Sequence, residues 1–324
     1  MSADTAPIRV IAGKDIDAAL PLAEGVEVID AAMREVSAGR ANLPLRWLMP
    51  LPEGNAMGIM PGAMRSPPVH GMKLISLYPD NPRKGLPSHL GMMLLFDTMT
   101  GMPLAVIDAA RLTTRRTAAA TVVATRTLAR PDARVHALIG TGALAGAHIE
   151  AFAAARPFAE TRVWGRRREA ADALAVRHPG VTVVDTIEEA VAVADVVTTL
   201  TASKTPVLLG KWLEPGQHVN LVGASMVNAR EIDDEGVARG RFYTDFRGSA
   251  EEQAGELIGA TAAGAVGSDH LLGEIGSVLL GDLPGRTDAA DITIYKSHGL
   301  AAQDLAYGHA VYRRLPGSAD LLTV

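Results

Sequence analysis

The stretch VHALIGTGALAGAHIEAFAAA, residues 135–155, decides how the rest of the chain is read. Val135–Ile139 is an apolar run of strand length, Gly140-Thr141-Gly142 is a glycine turn, and an Ala-rich helical pattern follows from about residue 143. The first glycine permits the tight turn and the second lets the backbone approach a diphosphate. Ala145, in the third position, is small enough for a helix to pack on a strand. A helix opening there turns free N–H groups and the positive end of its dipole toward an anion. The pattern predicts a dinucleotide site at Gly140, Gly142, Ala143 and Leu144.

Downstream, the same alternation repeats. Strands are expected at Val135–Ile139, Thr161–Trp164, Val181–Val184, Val196–Leu200, His218–Val222 and Phe242–Thr244, with helices at about 143–154, 167–177 and 187–194. Strands apolar on both faces and separated by helices imply a parallel, doubly wound sheet of the α/β class. Upstream the texture changes. Leu45–Pro50, Gly71–Tyr78, Met92–Asp97 and Pro103–Asp108 read as strands joined by turns such as Pro79-Asp80-Asn81-Pro82, in a separate and more antiparallel domain. An Ala-rich helix from about Thr114 to Leu128 joins the two, and Ala301–Arg314 is helical again.

Composition narrows the function. The 324 residues carry 31 Lys+Arg against 36 Asp+Glu, and 48% are hydrophobic, which fits a globular protein and neither a disordered tail nor a nucleic-acid binder. The chain has no cysteine, so thiolate catalysis, Cys-ligated metals and disulfides are excluded, and a reducing cytoplasm is the expected compartment. Asp4, Asp15 and Asp17 interrupt what would have to be the apolar stretch of a secretory signal. Glycines, His148 and Glu150 break the most apolar window, Ala137 to Ala155, where a spanning helix needs about 20 apolar residues. No membrane segment is expected. The nine histidines show no H-E-x-x-H or similar spacing, so no metal is expected, and G-x-S-x-G is absent.

The end of the second strand of a dinucleotide fold reads the ribose, through an acid for NAD or a basic residue for the 2′-phosphate of NADP. Here it runs Trp164-Gly165-Arg166-Arg167-Arg168. Charge tilts toward NADP through Arg166; arginines that merely begin a helix, or that stack on adenine while NAD binds, remain alternatives. The expected cofactor is NAD(P)H.

Three further cations stand out. Arg115 and Arg116 follow Thr113-Thr114 at the expected helix start, where the dipole disfavours positive charge. A substrate carboxylate, a cofactor phosphate or a nearby Asp or Glu would compensate them. Lys73 lies in the apolar strand GMKLISLY, where it either snorkels to an edge or grips an anion.

With Lys73, the run Asn81-Pro82, Lys84-Gly85-Leu86-Pro87-Ser88, then Thr100-Gly101-x-Pro103-Leu104-Ala105, Arg116-Thr117-Ala118-Ala119, Ile139-Gly140-Thr141-Gly142 and Lys296-Ser297-His298-Gly299-Leu300-Ala301-x-x-Asp304 resembles the ornithine cyclodeaminase/mu-crystallin family over nearly the whole chain. The resemblance implies a Rossmann domain at residues 118–301. It also implies an α+β substrate-binding and dimerisation domain at residues 1–117 and 302–324, in a homodimer. By the same resemblance Arg46, Lys73 and Arg116 hold the carboxylate of an amino or imino acid, with Gly299 beside it. Ser88, Arg116, Thr201, Val222 and His298 join the glycine turn and Arg166 around the cofactor.

Two departures separate the chain from true cyclodeaminases. Their catalytic aspartate in G-x-D-x-x-x-x-x-E is Ser225 in Gly223–Glu231, and their amine-binding glutamate has no counterpart in Met57-Gly58-Ile59 ahead of Met60-Pro61. A buried distal ammonium needs an anionic partner, so ornithine is disfavoured. The reading is a reductase of a small α-imino or α-keto acid, with Lys73, Arg116 and Ser225 catalytic. Three cations around one carboxylate leave surplus charge that a dicarboxylate such as iminosuccinate would balance. Pyruvate with ammonia, cyclic ketimines, ornithine, and NADPH binding without turnover are the alternatives; Arg65, His70 and His89 are candidate extra contacts.

Overall fold

The alternation that begins at Val135 closes into one eight-stranded sheet. In this computed structural model, which describes residues 7–315 and the strand Leu321–Leu322, its order is Val181–Val183, Glu160–Trp164, Val135–Ile139, Val196–Thr199, His218–Leu221, Ile292–Lys296, Gly240–Thr244, Leu271–Glu274. Every neighbouring pair is parallel. Val196–Thr199, His218–Leu221 and Ile292–Lys296 are buried at each residue, as a parallel sheet covered on both faces requires. The order reverses at Val135–Ile139, which has Glu160–Trp164 on one side and Val196–Thr199 on the other. Such a switch point opens a crevice beyond the C-terminal strand ends.

All six expected strands are present; Ile292–Lys296 and Leu271–Glu274 were not expected. Ile292–Lys296 escaped an apolar count because Thr293 and Lys296 occupy fully buried positions. The helix after the glycine turn runs Ala145–Ala155 and so starts two residues later than about 143.

The first sheet also has eight strands. Its path is Leu321–Leu322, Ile8–Ile11, Pro103–Asp108, His89–Asp97, Val69–Leu77, Ala56–Met64 and Ala41–Asn42, with Trp47–Pro50 also on Ala56–Met64. Only Ile8–Ile11 with Pro103–Asp108 is parallel. The strand Ala56–Met64 was not expected, and it contains Pro61 and Gly62, which are poor strand formers. Pro61 falls between the two short strands on that side, Trp47–Pro50 and Ala41–Asn42, where the ladder is interrupted. A Cβ at Gly62 would lie 2.8 Å from Ala301 Cβ, so the helix Ala301–Arg314 seats against bare backbone there. This brings the start of that helix onto the inner face of the sheet, where Met93, Leu95 and Lys73 are buried.

The connecting helix begins at Ala109, not Thr114, and Asp108 Oδ1 accepts the Arg111 N–H at 2.9 Å. Arg115 and Arg116 therefore sit in its second turn. The argument that a helix start opposes their charge does not apply, because that field fades within the first turn.

The chain divides into two compact units, Met1–Arg116 with Leu300–Val324, and Thr117–Gly299. Asp4 and residues 316–320 and 323–324 of the expected 1–117 and 302–324 segment lie outside the described residues.

Candidate active site

In the first unit, a lysine on a strand and an arginine on a helix meet at one carboxylate. Lys73 Nζ lies 2.7 Å from Asp304 Oδ2, and Arg116 Nε donates to Asp304 Oδ1 at 2.8 Å. Lys73 also donates to Thr113 Oγ1 at 3.2 Å, and Arg116 Nη1 donates to Gln303 Oε1 at 2.9 Å. Lys73, Arg116, Gln303 and Asp304 are all buried. Arg46, half-buried just before Trp47–Pro50, is close enough for its charge to act on Lys73.

Burial is the main influence on Lys73 and brings its pKa down to about 8. Asp304 opposes the change, while Arg116 and Arg46 add to it. Burial pushes the Asp304 carboxyl upward, but Arg116 and Lys73 outweigh it and hold it below the ordinary aspartate range.

Arg115 and Arg116 do not need a ligand to balance their charge. Their compensating anions belong to the chain itself. Arg116 has Asp304; Arg115 has Asp17 at 3.2 Å and also donates to Leu20 O and Tyr307 Oη. In the sequence Asp304 is only the last residue of the Lys296–Asp304 motif, and its partners lie too far away in the chain for local pattern to connect them.

Not every candidate joins this cluster. Strand alternation puts His70 on the sheet face opposite Lys73, where it stacks on Phe96, and Arg65 is exposed in the preceding turn. His89 shares the Lys73 face, and its Nδ1 is 2.9 Å from Ser88 Oγ.

In the second unit, the candidates gather on the C-terminal edge of the parallel sheet. Gly140, Arg166, Thr201, Val222 with Ser225, and His298 each follow a strand of that sheet. Gly140 has φ +119°, and a Cβ there would meet Leu200 O at 3.0 Å, so the turn itself demands glycine. At Gly142 a Cβ would meet nothing within 4 Å. Nothing in the chain demands glycine at that position, which suits the backbone approach of a diphosphate. Ala143 is exposed and Leu144 half-buried in the same turn, while Ala145 packs in the core with Leu138 and Val163.

Arg166 and Arg167 are exposed, and among the described residues neither forms an ion pair. Arg168 is tied to Asp172 and Asp185. Val222 packs in the core with Leu138, Ala145 and Leu200.

Buried carboxylates organise these loops. Glu231 Oε1 accepts the N–H and hydroxyl of Thr201 at 2.7 and 2.8 Å, and Oε2 accepts the N–H groups of Gly223 and Ala224 at 2.7 and 3.1 Å. Burial raises the Glu231 pKa; Lys296 and these donors oppose the rise. Lys296 Nζ pairs with Glu256 at 2.8 Å. Asp245 Oδ2 accepts the N–H groups of His298 and Gly299 at 3.0 and 2.8 Å, fixing a turn in which Gly299 has φ +74°. Glu256 and Asp245 were missed, since no local spacing marks either one. Half-buried Ser225 lies in the loop that Glu231 anchors. Among the described residues no group of His, Asp and Glu could hold a metal ion, and no helix is long and apolar enough to cross a membrane.

Residues 9–319 match the model of the ornithine cyclodeaminase/mu-crystallin family. The chain belongs to that family. Among its members, the ketimine reductase mu-crystallin of Mus musculus is 34% identical over 289 residues, covering 88% of this chain and 90% of the relative. The structure of Thermococcus litoralis Δ1-pyrroline-2-carboxylate reductase in complex with NADH and L-proline superposes with a TM-score of 0.91 at 29% identity, covering 95% of this chain and 97% of the other. The iminosuccinate reductase of Paracoccus denitrificans in complex with NAD+ gives 0.89 at 28% identity, over 98% and 100%.

Within this family frame, Gly58 is explained by packing. It pairs with Ile75, whose Cγ1 would lie 2.8 Å from an added Cβ, so an acidic side chain there would meet an apolar neighbour.

Proposed function

We propose that this protein is an NAD(P)H-dependent reductase that converts a small α-imino acid, or an α-keto acid together with ammonia and with loss of water, into an L-amino acid. It is an oxidoreductase acting on C=N bonds with a nicotinamide cofactor. The observation that carries the substrate reading is the buried pairing of Lys73 and Arg116 beside Arg46. These are cations of the right kind to hold a carboxylate, in a chain with an intact dinucleotide turn.

When bound, the reduced nicotinamide supplies a hydride. Gly140, Gly142, Ala143 and Leu144 would hold its diphosphate, Arg166 its ribose end, and Ser88, Arg116, Thr201, Val222 and His298 are proposed around the remainder. The substrate carboxylate pairs with Arg46 and with the part of the Arg116 guanidinium that Asp304 and Gln303 leave open. Arg116 therefore does not offer its whole fork. Lys73, with a pKa brought to about 8, gives a proton to the reacting nitrogen or oxygen. Ser225 hydrogen-bonds the substrate or a proton-carrying water, and Gly299 lets the ligand pass close to the backbone.

Asp304 changes the charge count from which a dicarboxylate was inferred. It offsets part of the positive charge of Lys73 and Arg116, and a dicarboxylate would meet the remainder. Reduction of iminosuccinate to aspartate is the specific reaction we favour.

The protein is also proposed to be a homodimer. Trp47 and Met92 are 59% and 56% exposed on the sheet face opposite Lys73, beside Leu74, Leu90 and Leu94. A second copy of the same face would cover this apolar surface.

The test follows nicotinamide absorbance with oxaloacetate plus ammonia, pyruvate plus ammonia, and cyclic ketimines. Fastest turnover with oxaloacetate and ammonia supports the dicarboxylate reading. Preference for pyruvate or a ketimine removes that reading and keeps the reductase. Cofactor binding without any turnover favours a binding protein, and ammonia release from ornithine overturns the argument from Ser225 and Gly58.

A further inference from the structure

Asp304 places a full negative charge, shielded from solvent, inside a cluster read above as an anion site. It repels the carboxylate that the site is proposed to bind. Its two ion pairs point to work done on its neighbours.

We propose that Asp304 is the positioning residue of this site, holding Lys73 and Arg116 at a fixed separation and supplying the counter-charge that lets two buried cations coexist. The inference rests on the reading of Lys73 as proton donor. Each carboxylate oxygen is committed to one cation, at 2.7 and 2.8 Å, so one rigid group sets the placement of two long side chains. Gln303, the preceding residue, takes a second guanidinium nitrogen of Arg116 and stops the plane from turning about the first bond. Asp304 sits in the first turn of the helix Ala301–Arg314, where the dipole favours a carboxylate. Reaction geometry that depends on flexible lysine and arginine chains is gained when those chains are locked before substrate arrives.

The groups facing Lys73 come from several elements. They are Asp304 from the C-terminal helix, Arg116 from Ala109–Leu128, Arg46 ahead of Trp47–Pro50, and His89 from His89–Asp97. Of these, Asp304 alone favours the charged amine. Removing it leaves burial, Arg116 and Arg46 acting together against the proton on Lys73.

The experiment compares Asp304→Asn and Asp304→Glu with the wild type. Three quantities are measured: the pH profile of kcat/KM, dinucleotide affinity by fluorescence, and pyruvate affinity by calorimetry. Asp304→Asn is expected to keep dinucleotide binding through the glycine turn, weakened only by the displacement of Arg116, to lose at least tenfold in kcat, and to show its alkaline limb displaced to lower pH. Asp304→Glu keeps the charge but moves it by one methylene, so its limb should stay in place while kcat falls. An Asn variant with an unmoved limb and unchanged pyruvate affinity overturns the proposal, as does a Glu variant with wild-type kcat. If Asp304→Asn fails to fold and loses dinucleotide binding, Asp304→Glu decides on the same terms. A wild type that turns over none of the acids defeats the proposed function instead; the positioning role is then read from pyruvate affinity alone, where weaker binding by Asp304→Glu, which keeps the charge but moves it, supports it and wild-type affinity overturns it.

Discussion

Glu231 and Thr201 are joined twice, by the backbone N–H at 2.7 Å and the hydroxyl at 2.8 Å, and both bonds fall on the same carboxylate oxygen. The other oxygen takes Gly223 and Ala224. One buried side chain thus ties together the loops that follow two adjacent strands, Val196–Thr199 and His218–Leu221. Replacing it by glutamine keeps the shape but turns an N–H₂ group toward donors. Glu231→Gln should cost about 1–3 kcal/mol, the range for a buried donor left unpaired. It should also weaken dinucleotide binding. Urea unfolding and a fluorescence titration check both; an unchanged midpoint would show that the clamp is dispensable.

The two glycines of the turn should separate in their effects. Gly140→Ala meets Leu200 O and a φ of +119°, so it should destabilise the fold by about 1–3 kcal/mol. Gly142→Ala meets no atom of the chain and should leave the melting temperature unchanged while raising the dinucleotide Kd. Thermal unfolding with and without cofactor distinguishes them.

Arg166 is exposed at the strand end that reads the ribose. Arg166→Ala should weaken NADPH binding and spare NADH, with stability changing by less than about 0.5 kcal/mol, as for an ordinary surface substitution. Equal loss for both nucleotides would argue for stacking on adenine instead.

Arg116→Lys preserves charge but cannot reach Asp304 and Gln303 with the same planar geometry. We expect kcat/KM to drop by roughly a hundredfold, equivalent to about 3 kcal/mol of lost charged hydrogen bonding. Wild-type efficiency would remove Arg116 from the substrate site.

Three buried histidines make the second unit sensitive to acid. Burial lowers His136 and His218 to about 3 and His148 to about 4. The unfolded chain takes up these protons below about pH 6.5, whereas the folded chain refuses them until pH 3–4. Stability is therefore full above about pH 6.5 and declines as pH falls, by up to about 1.4 kcal/mol per pH unit for each histidine. Urea midpoints at pH 7 and pH 5 measure the slope. His218→Gln, which removes one of the three groups, should show a shallower one; an identical slope would count against this origin.

The sequence by itself determined the doubly wound sheet, the glycine turn and the identity of the cations, because each is written in residues only a few positions apart. Strand length, apolar burial on both faces and the glycine spacing around Gly140 and Gly142 are local properties. Local pattern also misled: Thr113-Thr114 looked like caps, yet the helix begins at Ala109 because Asp108 already satisfies its first turn. Only the tertiary structure decided what the cations face. Arg116 and Asp304 are 188 residues apart, and their meeting depends on a helix seated on bare backbone at Gly62. A charge is legible in one residue; its partner is chosen by packing, and packing joins segments that no spacing along the chain connects.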